Sequence, residues 1–130
     1  MRLLLDTHVL LWAVGYSQRL PPATRDLLVD AANEVYFSAA SVWEIAIKSS
    51  LRRRDFEVEP YSMLSALSQM GFTELPVSAR HAAEVGRLAH FHKDPFDRLL
   101  IAQARAEPMV LLTADRALLR YSDNVRLIPA

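Results

Sequence analysis

Short apolar runs alternate with longer amphipathic stretches along the 130 residues, which predicts an α/β protein: a mostly parallel five-stranded sheet with helices on both faces. Two of the runs, Leu3-Leu4-Leu5 and Val110-Leu111-Leu112, are continuously apolar instead of alternating, the pattern of strands buried on both sides. A hydrophobic share of 52% beside 23% charged residues describes a soluble globular chain, and the length suits one domain over residues 1–130.

Residues 2–5 read as the first strand, ended by Asp6-Thr7, and Thr7 to Val14 as a helix stopped by Gly15. Pro21-Pro22 opens a second helix to about Ala32, with Leu27, Leu28 and Ala31 at helical spacing. Glu34-Val35-Tyr36-Phe37, β-branched and aromatic, is the second strand. Ser38 or Ser41 caps a third helix to about Leu51, and the basic triplet Arg52-Arg53-Arg54 follows. Pro60 to Met70 predicts a fourth helix ended by Gly71, and residues 72–76 a short strand. Ser78 to Leu88 reads as a helix with Ala82, Val85 and Leu88 on one face. A polar loop, His90 to Asp94, leads to Pro95, a favoured first helical residue, and a helix to about Ala106. Met109 to Leu112 is a buried strand, Ala114 to Arg120 a short helix, and Val125 to Ile128 the last strand.

Composition closes several routes. No apolar run approaches the roughly 20 residues of a membrane span, and the apolar start is shorter than the about 7–15 residues of a secretory leader core. Zero cysteines leave no disulfide, no thiolate nucleophile and no sulfur-ligated zinc, so the expected location is the cytoplasm. Fifteen basic and fifteen acidic residues cancel, whereas a dedicated nucleic-acid domain is strongly basic. Charge is still patterned locally: Lys93, Arg98 and Arg116 flank acidic positions.

Four of those acids stand where apolar segments meet helix starts. Asp6 ends the first strand, Asp115 follows Leu111-Leu112-Thr113, and Glu44 and Asp97 fall in the first turns of apolar helices. Taken singly, each has a plain explanation. Asp6 and Asp115 suit helix caps, Ser41-Val42-Trp43-Glu44 matches a capping box, and Asp97 is the third helical residue after Asp94. Taken together they point elsewhere. Asp97 shares a helical stripe with Leu100, Ile101 and Ala104, and Glu44 with Ala40, Ile47 and Leu51, faces where an unpaired carboxylate is expensive. In an open parallel sheet, strand ends and the neighbouring helix starts share the ligand-binding edge. Four carboxylates gathered there need a cation, and oxygen donors suit Mg²⁺ or Mn²⁺. The chemistry such a site supports is water-driven phosphoryl transfer, with no covalent protein intermediate.

Other constellations are thinner. No phosphate-binding glycine motif occurs among Gly15, Gly71 and Gly86, and no nucleophile elbow exists. His90 and His92 read as solvated loop residues or as phosphate contacts; His8 and His81 carry no partner signal. Trp12 and Trp43 read as core or interface. A D-x-D phosphatase would need a second acid after Asp6-Thr7-His8, and a receiver domain needs paired acids after the first strand. A non-catalytic binding module keeping the same fold remains an alternative.

Four segments, in order, resemble the PIN-domain nucleases, specifically the VapC-type ribonuclease toxins of type II toxin–antitoxin pairs: residues 4–12 (Leu-Leu-Asp-Thr-His-Val-Leu-Leu-Trp), 38–48, 94–104 (Asp-Pro-Phe-Asp-Arg-Leu-Leu-Ile-Ala-Gln-Ala) and 111–115 (Leu-Leu-Thr-Ala-Asp). The resemblance implies a PIN-like three-layer fold and RNA cleavage dependent on Mg²⁺ or Mn²⁺. It carries the metal-site acids onto Asp6, Glu44, Asp97 and Asp115, with Thr7 and Thr113 in supporting places and Asp94 left as a cap. It also implies a homodimer or toxin–antitoxin hetero-oligomer, a cognate antitoxin and no membrane. Lys48, Arg98, Arg116 and the Arg52, Arg53, Arg54 triplet are the candidate RNA contacts, though Lys48 equally suits an i, i+4 pair with Glu44.

Overall fold

The computed structural model describes residues 1–16, 20–51, 58–121 and 124–129, so Arg52, Arg53 and Arg54 lie outside the described residues. Strand β1 (Arg2–Leu5) is followed by helices α1 (Thr7–Ala13) and α2 (Pro22–Val29), strand β2 (Glu34–Ser38), and helices α3 (Ala39–Ser50) and α4 (Pro60–Gln69). Strand β3 (Thr73–Leu75), helices α5 (Ala79–Glu84) and α6 (Pro95–Ala106), and strands β4 (Val110–Thr113) and β5 (Val125–Leu127) complete it, with 3₁₀ turns at Val85–Arg87 and Arg116–Tyr121. The five strands are all parallel, in the order β3-β2-β1-β4-β5.

The central strand explains the layers. Successive side chains of β1 alternate between faces. Leu3 and Leu5 enter one core with Val9, Leu10, Ile45, Met63 and Leu67 from α1, α3 and α4. Leu4 enters the other with Leu100, Ile101 and Ala104 of α6 and Leu118. Each fully buried leucine contributes on the order of 1.5–3 kcal/mol, so the leucine run of β1 ties both layers to one rod.

Chain direction reverses around β1: the path runs outward through β2 and β3, then returns to the opposite side with β4. The crevice between the carboxyl ends of β1 and β4 is therefore the switch point, where doubly wound sheets bind ligands. The backbone N–H of Asp6 still reaches Leu112 O, at 3.0 Å, which carries the ladder one residue past β1 to that edge.

Three local expectations are corrected. Helix α2 stops at Val29, not near Ala32, because Asp30 Oδ1 accepts from the Ala32 N–H and Asn33 Nδ2 donates to Leu27 O, a side-chain turn that competes with the helix. The segment 78–88 is α5 plus a 3₁₀ turn; the carbonyls of Val85 and Leu88 turn to the Arg98 guanidinium. Within α5 the buried residue is His81 and Ala82 is exposed, while Leu88 is buried as expected: His81 Nδ1 accepts from Ser78 N–H and its Nε2 meets Glu107 Oε2 at 2.6 Å. Among the described residues, no helix is long and apolar enough to cross a membrane.

Candidate active site

Asp6 stands at the mouth of the crevice, buried, and does two jobs with two oxygens. Its Oδ1 caps α1 by accepting the Val9 N–H at 2.8 Å. Its Oδ2 accepts the Thr113 hydroxyl from the end of β4. Burial pushes the Asp6 carboxyl above the ordinary carboxylate range, against the pull of the Thr113 and Val9 hydrogen bonds.

Thr113 also accepts the Asp115 N–H, at 3.0 Å, and Asp115 Oδ1 accepts the Ala117 N–H at 2.9 Å. Asp115 is exposed and caps the 3₁₀ turn, so its capping role and its place beside the crevice coexist.

Glu44 reaches the edge from α3. The helix is capped by Ser38, through the Ala40 N–H, so Glu44 lies beyond the first turn and the Ser41–Glu44 capping box does not form. Its Oε1 instead accepts from Thr7 Oγ1 at 2.7 Å, and its Oε2 pairs with Lys48 at 2.8 Å. A hydroxyl has one proton; with Thr7 donating to the carboxylate, Ser41, 3.1 Å away and buried, donates to Thr7. Sequence reading passed over Ser41 except as a cap. The face around Glu44 is also corrected: Ala40, Ser41 and Ile45 are buried with it, whereas Ile47 is 37% and Leu51 61% exposed.

Asp97, third residue of α6, faces the same edge. Its carboxyl is pushed up to about 6, first by burial, then by the neighbouring charges of Asp94 and Asp6, against hydrogen bonding from His92. The repulsion from Asp6 places these two acids in one electrostatic unit although 91 positions separate them in the chain (97 less 6). Asp94 caps α6 through the Phe96 and Asp97 N–H groups, as expected.

His92 is the residue that sequence reading undervalued. Its Nε2 lies 2.8 Å from Asp97 Oδ2, and donor atoms of His92, Asp97 and Asp115 all fall within 4.8 Å of one another. The available signal was its place just before the Asp94 cap, where the chain folds back over the start of α6.

Arg98 is not a surface phosphate contact. It is buried, and its guanidinium donates to the carbonyls of Ala89, His92, Val85 and Leu88 and to the Tyr121 hydroxyl. Lys48 holds Glu44, and Arg116 is exposed beside Asp115. Trp43 is 62% exposed and meets Phe96 edge-on at 5.2 Å, bridging α3 to the start of α6.

The carboxylate oxygens fit a hard divalent cation: burial raises both Asp6 and Asp97, and like charge raises Asp97 further.

Comparison with known proteins follows the same line. Ribonuclease VapC22 of Mycobacterium tuberculosis is 31% identical over 115 residues, covering 88% of each chain. In fold, the chain resembles VapBC2 from Rickettsia felis bound to a promoter DNA fragment (TM-score 0.69, 20% identity, 98% of this chain and 97% of that one). It also resembles VapBC-1 from nontypeable Haemophilus influenzae (TM-score 0.69, 13% identity, 98% and 96%). The PIN domain model matches residues 3–124, and the chain belongs to the PIN domain family.

Proposed function

We propose that this chain is an endoribonuclease, hydrolysing RNA phosphodiester bonds at the β1–β4 crevice with Mg²⁺ or Mn²⁺, and that it is the toxin of a toxin–antitoxin pair. The observation that carries the reading is the crevice itself. Donor atoms of Asp97 and Asp115 lie within 4.8 Å of one another there, and the Asp6 charge helps to raise the Asp97 carboxyl, in a chain 31% identical to a protein named as a ribonuclease. The fold neighbours named VapBC support a cognate antitoxin as partner, in a homodimer or hetero-oligomer.

Asp6, Glu44, Asp97 and Asp115 would hold the cation. When bound, it supplies a water of lowered pKa and stabilises charge developing on the phosphate oxygens. Thr113 and Thr7 hold Asp6 and Glu44 in place by donating to one oxygen of each. Lys48, Arg116 and the triplet Arg52, Arg53, Arg54 remain the proposed contacts to the RNA backbone.

The test is cleavage of RNA by the purified protein with and without metal. EDTA should abolish cleavage and Mn²⁺ restore it; Asp97→Asn should lower the rate by at least about 10²-fold, by analogy with losing one transition-state stabiliser. Full activity in excess EDTA rules out the metal mechanism. RNA binding without cleavage would favour the non-catalytic module.

A further inference from the structure

We propose that His92 is a positioning residue for Asp97: its imidazole donates from Nε2 to Asp97 Oδ2 and fixes the carboxylate in the orientation that receives a divalent cation. This rests on the metal-dependent reading above and adds a group from outside the four acids.

The loop that carries His92 is unusually well anchored for an irregular segment. The buried Arg98 guanidinium grips it from below, at 2.9 Å to Ala89 O and 3.3 Å to His92 O, while the same group binds the Tyr121 hydroxyl at 3.1 Å. Phe91 packs edge-on against Tyr121 at 5.3 Å, under the Arg120 guanidinium 4.2 Å from its ring. On the far side the Asp94 cap and Pro95 set the entry into α6. Both ends of the His92 backbone are thus held, and its imidazole is four-fifths buried against Asp97. A histidine serving only solubility would have no need of such anchoring.

The chemistry suits the role. Carboxylates that bind metal are themselves held by hydrogen bonds, and losing such a support typically costs about 10–100-fold in metal affinity. Asp97 needs the support more than its neighbours do. It is less buried than Asp6 and lacks the hydroxyl donors given to Asp6 by Thr113 and to Glu44 by Thr7. Asp6 and Glu44 each have a threonine hydroxyl as side-chain donor, and the side chain that meets Asp97 is His92.

Mn²⁺ affinity, read by magnetic resonance of the free ion, separates the outcomes for the wild type, His92→Phe and His92→Gln. Circular dichroism confirms that each variant is folded. The expected result is a loss of about 10–100-fold for His92→Phe, substantial recovery in His92→Gln, whose amide can donate to the same oxygen, and an unchanged KM for RNA at saturating Mn²⁺. Should His92→Phe fail to fold, His92→Gln against His92→Leu carries the same comparison. Wild-type affinity in the Phe or Leu variant overturns the proposal, as does a raised KM with metal affinity intact, which would make His92 a substrate contact. Nitrogen coupling from an imidazole in the spectrum of bound Mn²⁺ overturns it too, because His92 would then be a ligand. A wild-type protein that binds no Mn²⁺ overturns the underlying metal reading and, with it, this one.

Discussion

Asp97 keeps its proton to about pH 6, well above the ordinary value of 3.8, because burial and the charges of Asp94 and Asp6 outweigh the hydrogen bond from His92. A carboxyl raised on folding contributes stability that is complete below its unfolded value and is lost as pH rises through its folded one. The metal-free protein should therefore lose stability between pH 3.8 and about 6 at this residue, and Asp97→Asn should remove that loss. Denaturant midpoints of both proteins across the window measure the difference; parallel curves would mean that Asp97 is not strained. A cation competes with the same proton, so stabilisation by added Mn²⁺ should grow over that range. The strand ends and helix starts that carry the four acids were legible in the sequence, whereas Thr7 and Thr113 entered only through the family resemblance. Arg98 was misread because adjacency in sequence was taken for adjacency in space. Consecutive helical residues do not face each other, and the turn from Asp97 to Arg98 carries the guanidinium away from the acids into the loop.

Helix α3 shows how one capping choice relocates a function. With Ser38 as cap, Ser41 is released to serve Thr7 and Glu44, and the two serines should part in mutation. Ser38→Ala should cost about 0.5–2 kcal/mol of stability, the usual loss of a cap, with cleavage following only the folded fraction. Ser41→Ala should leave the helix start intact and lower cleavage by loosening the Thr7–Glu44 pair. Thermal melts beside initial rates distinguish them, and identical behaviour would restore Ser41 as a second cap. Strand and helix positions were readable because their patterns are local: the leucine run of β1, Pro95 opening α6, Gly71 closing α4 at φ 78. The end of α2 and the break in segment 78–88 were not, since Asn33 and Arg98 impose them through side chains reaching back to main-chain carbonyls. The exposed flank of α3 was missed for a related reason: spacing gives a stripe, but only packing says which stripe is covered.

Alternating strands and helices foretold a parallel sheet, but its order, with β1 in the middle, depends on pairings between distant segments and had to be seen. With fifteen basic residues balanced by fifteen acidic ones, the chain has no excess of cations to meet an RNA backbone. Binding should accordingly be weakly salt-dependent. Each phosphate contact removed should lower the log–log slope of affinity against salt by about 0.7 for a single strand. Lys48→Met, Arg116→Gln and a triple replacement of Arg52, Arg53 and Arg54 test the proposed contacts; unchanged slopes in all three would put the RNA path elsewhere. The bond from Thr113 to Asp6 spans 107 positions, and it carries a meaning in time as well as in space. Chains are made from the amino end. A growing polypeptide has β1 and its acid early, but it lacks the neighbour that forms the other wall of the crevice until residue 113 has been added. The crevice therefore has no second wall, and Asp6 no hydroxyl donor, in any nascent chain that stops short of Thr113.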